Sequence, residues 1–338
     1  MTRTLLLGAT MFGAMPIAAQ AQIATPPSPA TNGDAPEAAD AADGQGNDII
    51  VTASKREATL QDTPIAVSVT TAQVIEQAQV RDLIDVQTLV PSLRVAQLQS
   101  SANTNFIIRG FGNGANNAGI EPSVGVFIDG VYRSRSAAQI GDLPNLQRIE
   151  VLRGPQSTLF GKNASAGIIS VVTAAPSFDF GGSIEAGYGN FNAVQLRGDV
   201  TGPLTDSIAF SLAANYNRRN GYAQDLRVNS DVNDRDRWGT RAQILFEPSD
   251  VFKLRVIADY DRVNENCCIA ANVVAGPTAA IINALAGGVG IAAQSPYSYQ
   301  VYNNFLSENR IENYGGSAQA DWELGALTLT SITAYRQV

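Results

Sequence analysis

The sequence predicts a small α+β domain followed by antiparallel transmembrane β-barrel strands, about seven of them in an incomplete barrel. Three observations predict this. From residue 178 onward apolar and polar residues alternate with period two, whereas residues 56–175 mix short strands with helix-capping signals. After the N-terminal leader no segment is long and apolar enough to cross a membrane as a helix. A membrane protein without such helices is left with a closed β-barrel.

Residues 1–21 read as a secretory signal peptide: Arg3 gives a short positive start, Leu5 to Pro16 are apolar, and Ala19-Gln20-Ala21 supplies small residues for cleavage before Gln22. Residues 22–47 are rich in Ala, Pro, Gly and Asp and hold almost no large apolar side chain, so they form a disordered linker. Asp48-Ile49-Ile50-Val51-Thr52-Ala53 then gives an isolated β-prone patch. Such a patch behind a linker suits strand addition to a partner's sheet edge, or it is the first strand of the next domain.

Within 56–175, Ile65 to Val69 reads as a strand and Thr71 as the cap of a helix bearing Val74, Ile75 and Ala78. Asp82 caps a second predicted helix with Leu83, Val86 and Val90 on one face, ending at Pro91. Phe106 to Arg109, Val124 to Ile128 and Ile168 to Val172 read as strands. Within Arg148 to Thr173 a further strand around Ile149 and Val151 is stopped by Gly154-Pro155.

In residues 178–338 the strands are predicted at 184–188, 194–200, 208–216, 238–246, 252–260, 314–322 and 327–335. Glu185, Arg197, Asp199, Arg241, Lys253, Arg255, Asp259 and Asp321 all fall on one parity, opposite the apolar set. A charge facing lipid at mid-depth costs about 2–4 kcal/mol, whereas a wet lumen accepts it. Tyr188, Tyr216, Trp238, Tyr260, Tyr314 and Tyr335 gather at one strand end, with Phe246, Phe252 and Trp322 at the other, as two interfacial girdles would. Connections at 202–206, 247–250 and 323–325 are short, and those at 218–236 and 264–313 are long. The long second connection is read as a loop with one short helix around Thr278 to Ala286.

The chain carries a net charge of −8 and no histidine. That balance argues against nucleic acid as partner, since phosphates need clustered Lys and Arg. Without histidine the usual general base and any imidazole ligand are missing. Gly110-x-Gly112-x-x-Ala115 fits a dinucleotide fingerprint in letters, yet Asn116, Asn117, Gly119 and Pro122 deny it the following helix. Gly154 to Lys162 has the wrong spacing for a phosphate loop. Cys267-Cys268 are adjacent, expected either to close a vicinal disulfide or to remain thiols. No catalytic residue, cofactor or metal set is read, and enzyme activity is not expected.

Four segments resemble one family. They are the DIIVTA patch at 48–53, IIRGFG at Ile107 to Gly112, GVFIDGVY at Gly125 to Tyr132, and RIEVLRGPQSTLFGKNASAGIISVVT at Arg148 to Thr173. In this order they resemble the TonB-dependent outer-membrane receptors. The resemblance implies a plug domain at 56–175, the N-terminal part of a β-barrel at 178–338, and a TonB box at 48–53. It implies outer-membrane placement with plug and box facing the periplasm, and TonB, with ExbB and ExbD, as partner through Asp48, Ile49, Ile50, Val51, Thr52 and Ala53.

The ligand implied is small and scarce, a ferric siderophore first, with cobalamin or a saccharide as alternatives. A passive porin and a non-transporting binding or signalling protein stand as other classes. By the same resemblance Arg109 and Arg153 latch the plug to carboxylates of the barrel wall. Asn103, Asn113, Asn116, Asn117, Tyr132, Arg133 and Arg135 sit on apical loops that meet the ligand. Ala166-Gly167 stands where the family shows paired glycines. Seven strands are an odd number with free edges, so a longer receptor is expected.

Overall fold

The structure is a computed structural model that describes residues 49–338, apart from 54, 57, 99, 114–118, 140, 143–144, 268, 270–273, 289–295 and 304. The expected leader, the linker, Asp48, Asn116, Asn117 and Cys268 therefore lie outside the described residues.

The N-terminal domain opens with a two-stranded ribbon, β1 (Ile50–Val51) against β2 (Ala58–Thr59). It continues through β3 (Val67–Thr71), α1 (Ala72–Gln77), β4 (Leu93–Gln97), β5 (Thr104–Ile108), β6 (Val124–Ile128), β7 (Val131–Tyr132), β8 (Leu146–Arg153), α2 (Ser157–Phe160) and β9 (Gly167–Thr173). Strands β3, β8, β9, β6 and β7 form one sheet in that order, and β4 pairs with β5. Period-two alternation gives this sheet two apolar faces. Val124, Val126, Ile128, Ile149, Val151, Ile169 and Val171 pack on one side with Leu83, Val86 and Phe106. Phe127, Leu152 and Ile168 pack on the other with Val51 and Ala53.

Two expectations shift here. Strand Ile65 to Val69 lies two residues later, as β3 at Val67–Thr71. The helix expected after Asp82 is only a 3-10 turn at Asp85–Thr88, although Leu83, Val86 and Val90 are buried as foreseen. Asp82 Oδ1 accepts the Ile84 N–H at 2.9 Å and Asp85 Oδ2 accepts the Arg81 N–H at 3.0 Å. Side chains that bond nearby backbone in this way compete with a regular helix.

The second part is a seven-stranded antiparallel sheet. Its strands are β10 (Gly181–Gly189), β11 (Ala193–Thr205), β12 (Ile208–Arg219), β15 (Arg235–Ser249), β16 (Phe252–Cys267), β18 (Ser307–Leu324) and β19 (Leu327–Gln337). Every neighbour pairs antiparallel, in chain order, with β10 and β19 at the edges. The long connections are not bare loops. β13 (Ala223–Asp225) and β14 (Ser230–Val232) from the first join β17 (Gln300–Val301) from the second in a three-stranded flap. The helix foreseen in the second connection is α3 (Ala279–Leu285). Cys267 is disulfide-bonded.

The two faces of the sheet differ as the parity demanded. Leu212, Ile244 and Val256 remain 41–49% exposed on the face turned away from the N-terminal domain. Trp238 stacks toward Tyr260 at 4.9 Å and Tyr260 toward Tyr314 at 6.5 Å, while Phe252 meets Trp322 edge-on at 6.1 Å at the opposite end. An apolar band between two aromatic rows fits a bilayer. The other face carries Arg237, Arg241, Arg255 and Asp259 and lies against the N-terminal domain.

Candidate functional site

Three places bear on function: the N-terminal ribbon, the interface between the domain and the sheet, and the loops at the upper end of that interface.

The ribbon is docked rather than free. Val51 and Ala53 are buried, whereas Ile49 and Ile50 are exposed. Between them Thr52 donates its N–H to Glu150 Oε1 at 2.9 Å and its hydroxyl to the same oxygen at 3.1 Å. Glu150 is fully buried and pairs with Arg148 at 2.7 Å. A carboxylate so buried needs this charge and these donors as partners. Three residues after Thr52, Lys55 stands over the rings of Phe160 and Phe127 at 4.6 and 5.5 Å. Burial lowers the pKa of its ammonium.

At the interface the charges run opposite to the arrangement that the resemblance implied. The domain supplies Asp82, Asp129 and Asp142 and the sheet supplies Arg237, Arg241 and Arg255, with Arg133 of the domain beside Asp259 of the sheet as the exception. Asp129 bonds Arg241 and lies 3.6 Å from Arg255, and it also accepts the Thr173 N–H at 2.9 Å. Higher up, Arg237 meets Glu265 at 2.5 Å, Asp82 at 3.2 Å and Asp142 at 3.6 Å. Asn217 donates to Asp142 at 2.9 Å. Each of these groups is nearly removed from solvent, so losing one partner strands the other. The Asp129-Gly130 turn, with φ of 47° and 75°, is the Asp-Gly hairpin turn that right-twisted strands favour. It aims Asp129 at the sheet.

Arg109 and Arg153, the expected latch, form no ion pair among the described residues. Arg109 is exposed in a left-handed conformation (φ 52°) that ends β5 at Ile108, one residue earlier than expected. Arg153 donates to the Ala66 and Val67 carbonyls of its own domain at 3.4 and 3.2 Å. On the seven strands present the attachment passes instead through Asp82, Asp129 and Asp142. The sequence did mark Arg241 and Arg255 as inward-facing charges, and an inward charge demands a partner.

The apical residues divide. Ser101 fastens the loop around Asn103 to the sheet, bonded to Asn309 at 2.5 Å and to Glu265 at 3.4 Å. Asn103 is half-buried and Arg135 is exposed. Three expected ligand residues are engaged internally. The Asn113 amide bonds the Glu121 carbonyl and the Ser123 hydroxyl, closing its own loop. The Tyr132 hydroxyl accepts from Asn163 at 2.7 Å, and burial raises its pKa. Arg133 is 6% exposed and lies 3.8 Å from Asp259. Burial lowers its pKa to about 10, aided by Arg336 and Arg241 and opposed by Asp259. Arg133 is buried there, whereas Arg135, two residues on, is exposed.

Residues 59–168 match the TonB-dependent Receptor Plug Domain family. The α+β domain is a plug of the TonB-dependent receptor kind. The seven-stranded sheet is the wall beside it.

The chain is 30% identical over 151 residues to the ferrioxamine B receptor of Salmonella typhimurium, covering 43% of this chain and 20% of that protein. It is 28% identical over 163 residues to the pesticin receptor of Yersinia pestis, covering 48% and 24%. It is 27% identical over 184 residues to the vitamin B12 transporter BtuB of Vibrio vulnificus, covering 53% and 29%. Among solved structures, the ferric yersiniabactin uptake receptor FyuA of Yersinia pestis superposes with a TM-score of 0.69 at 18% identity, over 80% of this chain and 40% of that one. The ferripyoverdine receptor of Pseudomonas aeruginosa superposes with a TM-score of 0.62 at 17% identity, over 81% and 34%. The chain thus spans between a fifth and a third of the length of these curated relatives. The structural likeness carries the fold.

Proposed function

We propose that this receptor acts in the outer membrane in the active uptake of a scarce ligand, a ferric siderophore, through energised displacement of its plug. TonB, working with ExbB and ExbD, takes Asp48 to Ala53 by strand addition from the periplasmic side and draws on the plug. The observation that carries this reading is the docked ribbon. A β-prone segment, already paired as a strand, leads directly into a plug fixed to a wall by buried ion pairs. A pull on that segment is a pull on the plug. The ligand class is supported by what the relatives are named for, ferrioxamine B among them. The amides, phenol and guanidinium of the apical loops suit an oxygen-rich chelate, with Arg135 and Asn103 presented and Asn116 and Asn117 outside the described residues. Arg109 and Arg153 remain proposed latch residues toward carboxylates other than those of this wall.

Deleting residues 48–53 tests the reading in cells. Iron-chelate accumulation is expected to disappear while chelate binding at the surface persists. A passive porin would keep its flux after that deletion, and a binding or signalling protein would bind without box-dependent accumulation. Accumulation of cobalamin or a saccharide in place of the iron chelate would reassign the ligand.

A further inference from the structure

In the seam between plug and wall, Arg133 is under-partnered. Its guanidinium is buried, yet it donates no hydrogen bond among the described residues, and its Nε has no partner at all. Its ion-pair partner is Asp259, at 3.8 Å. We propose that this seam binds a small inorganic oxyanion, hydrogen phosphate, which joins Arg133 of the plug to Arg241 and Arg336 of the wall. The site is separate from the exposed apical surface and does not depend on what the protein imports.

Charge points to an anion. Asp259 is already shared, with Arg241 at 3.3 Å and Arg336 at 2.6 Å. Arg241 and Arg255 in turn share Asp129. Four guanidinium groups thus meet two carboxylates. Asp261 adds a third, itself held by the Asn313 amide at 2.7 Å, which leaves four positive charges against three. Arg237 lies four residues from Arg241 along β15, about 14 Å away, and is matched by Asp82, Asp142 and Glu265. The excess therefore belongs to the cluster around Arg133. Arg336 and Arg241 also repel Arg133, and one anion among them offsets that repulsion.

Hydrogen bonding points to phosphate. Arg241 Nε, like Arg133 Nε, is buried without a hydrogen-bond partner. Guanidinium groups offer paired N–H donors that match two oxygens of one oxyanion. Acceptors lie alongside. Gln139 donates its amide to the Arg133 carbonyl at 3.0 Å and Asn313 donates to Asp261, and the amide oxygen of each is buried with no donor. Hydrogen phosphate carries a P–OH for such an oxygen, whereas sulfate and chloride carry none. A buried acceptor left without a donor is costly.

The wall is shaped to bring Arg336 in. The register sets Gly315 between Asp259 and Arg336. A Cβ on Gly315 would stand 2.9 Å from Arg336 Cδ, so glycine lets the arginine stem cross to Asp259. The side chains of Arg133 and Asp259 are 7% and 14% exposed, a burial that shuts out a bulky chelate.

Equilibrium dialysis of the full chain in detergent micelles against radiolabelled inorganic phosphate, at constant ionic strength in sodium chloride, tests the site. One phosphate per chain is expected, with sulfate about tenfold weaker for want of one hydrogen bond. Arg133→Gln and Arg336→Gln should each weaken binding by about tenfold or more with strand circular dichroism intact. Lys253→Gln, at the far end of the sheet, should keep it. Absence of binding overturns the site. Binding kept in both arginine variants overturns it too, because the phosphate then sits elsewhere. Equal affinity for sulfate overturns hydrogen phosphate as the occupant. Displacement by ferric citrate overturns the free ion as the source and assigns the seam to an anionic group of the imported ligand. None of these results touches the uptake reading, whose test is the deletion of residues 48–53.

Discussion

Asp129 occupies a left-handed turn position, and its carboxylate faces the guanidinium groups of Arg241 and Arg255. Replacing it with alanine leaves two buried cations without their partner, so Asp129→Ala should lower unfolding free energy by about 3–5 kcal/mol in denaturant titrations. Adding Arg241→Met should recover part of that loss, with a coupling energy of about 0.5–3 kcal/mol in a double-mutant cycle. Glu150 makes a different prediction. It holds Thr52 by two hydrogen bonds, so Glu150→Gln should loosen residues 50–53 by about 1–3 kcal/mol, read as faster amide exchange at Thr52. Exchange in β8 and β9 should stay as it is. Neither role was legible beforehand. The partners of Asp129 and Glu150 lie 112 and 98 positions away along the chain.

Among the elements, the wall strands were the most legible, because their period-two pattern is imposed by two different solvents. Lipid allows no charge on one face, and the plug interface requires it on the other. Val256 is 43% exposed on the apolar face. Val256→Arg should therefore cost about 2–4 kcal/mol in bilayer-dependent folding, measured by denaturant titration in vesicles. In the plug, Gly167 is the tightest joint. A Cβ there would stand 2.4 Å from the Leu152 carbonyl oxygen and 2.7 Å from Ile108, across the β8–β9 pairing. Gly167→Ala should accordingly destabilise the plug by about 1–3 kcal/mol in thermal unfolding. The expected Asp82 helix failed for a local reason, since Asp82 and Asp85 spend their carboxylates on backbone N–H groups. Its apolar spacing was right and its hydrogen bonding was not. The flap was missed for another reason: strands of two and three residues from connections far apart leave no periodic pattern to read.

For the whole molecule, plug and wall are each incomplete in charge. Arg237 gathers Asp82 and Asp142 from the plug and Glu265 from its own wall. Removing residues 49–176 should thus destabilise the wall, which loses its ion pairs with Asp82, Asp129 and Asp142, lowering its denaturation midpoint in detergent. Attachment by a few buried ion pairs also suits a plug that moves. Breaking them is costly one at a time, yet together they form a defined set that a pull on residues 48–53 would load.

The sequence by itself determined the order of domains, the α+β character of the plug, the wall strands and which of their faces carries charge. Each follows from local periodicity, turn residues and composition, which depend on neighbours a few positions apart. Tertiary structure alone decided where the ends of those charges go. It turned Arg133 inward and left Arg135 out, closed Asn113 upon its own loop, buried Val51 and Ala53 of the ribbon, and made Asp82, Asp129 and Asp142 the plug's hold on the wall. A buried charge is satisfied by whichever partner the fold brings within hydrogen-bond reach, and that partner's distance along the chain leaves no mark in the sequence.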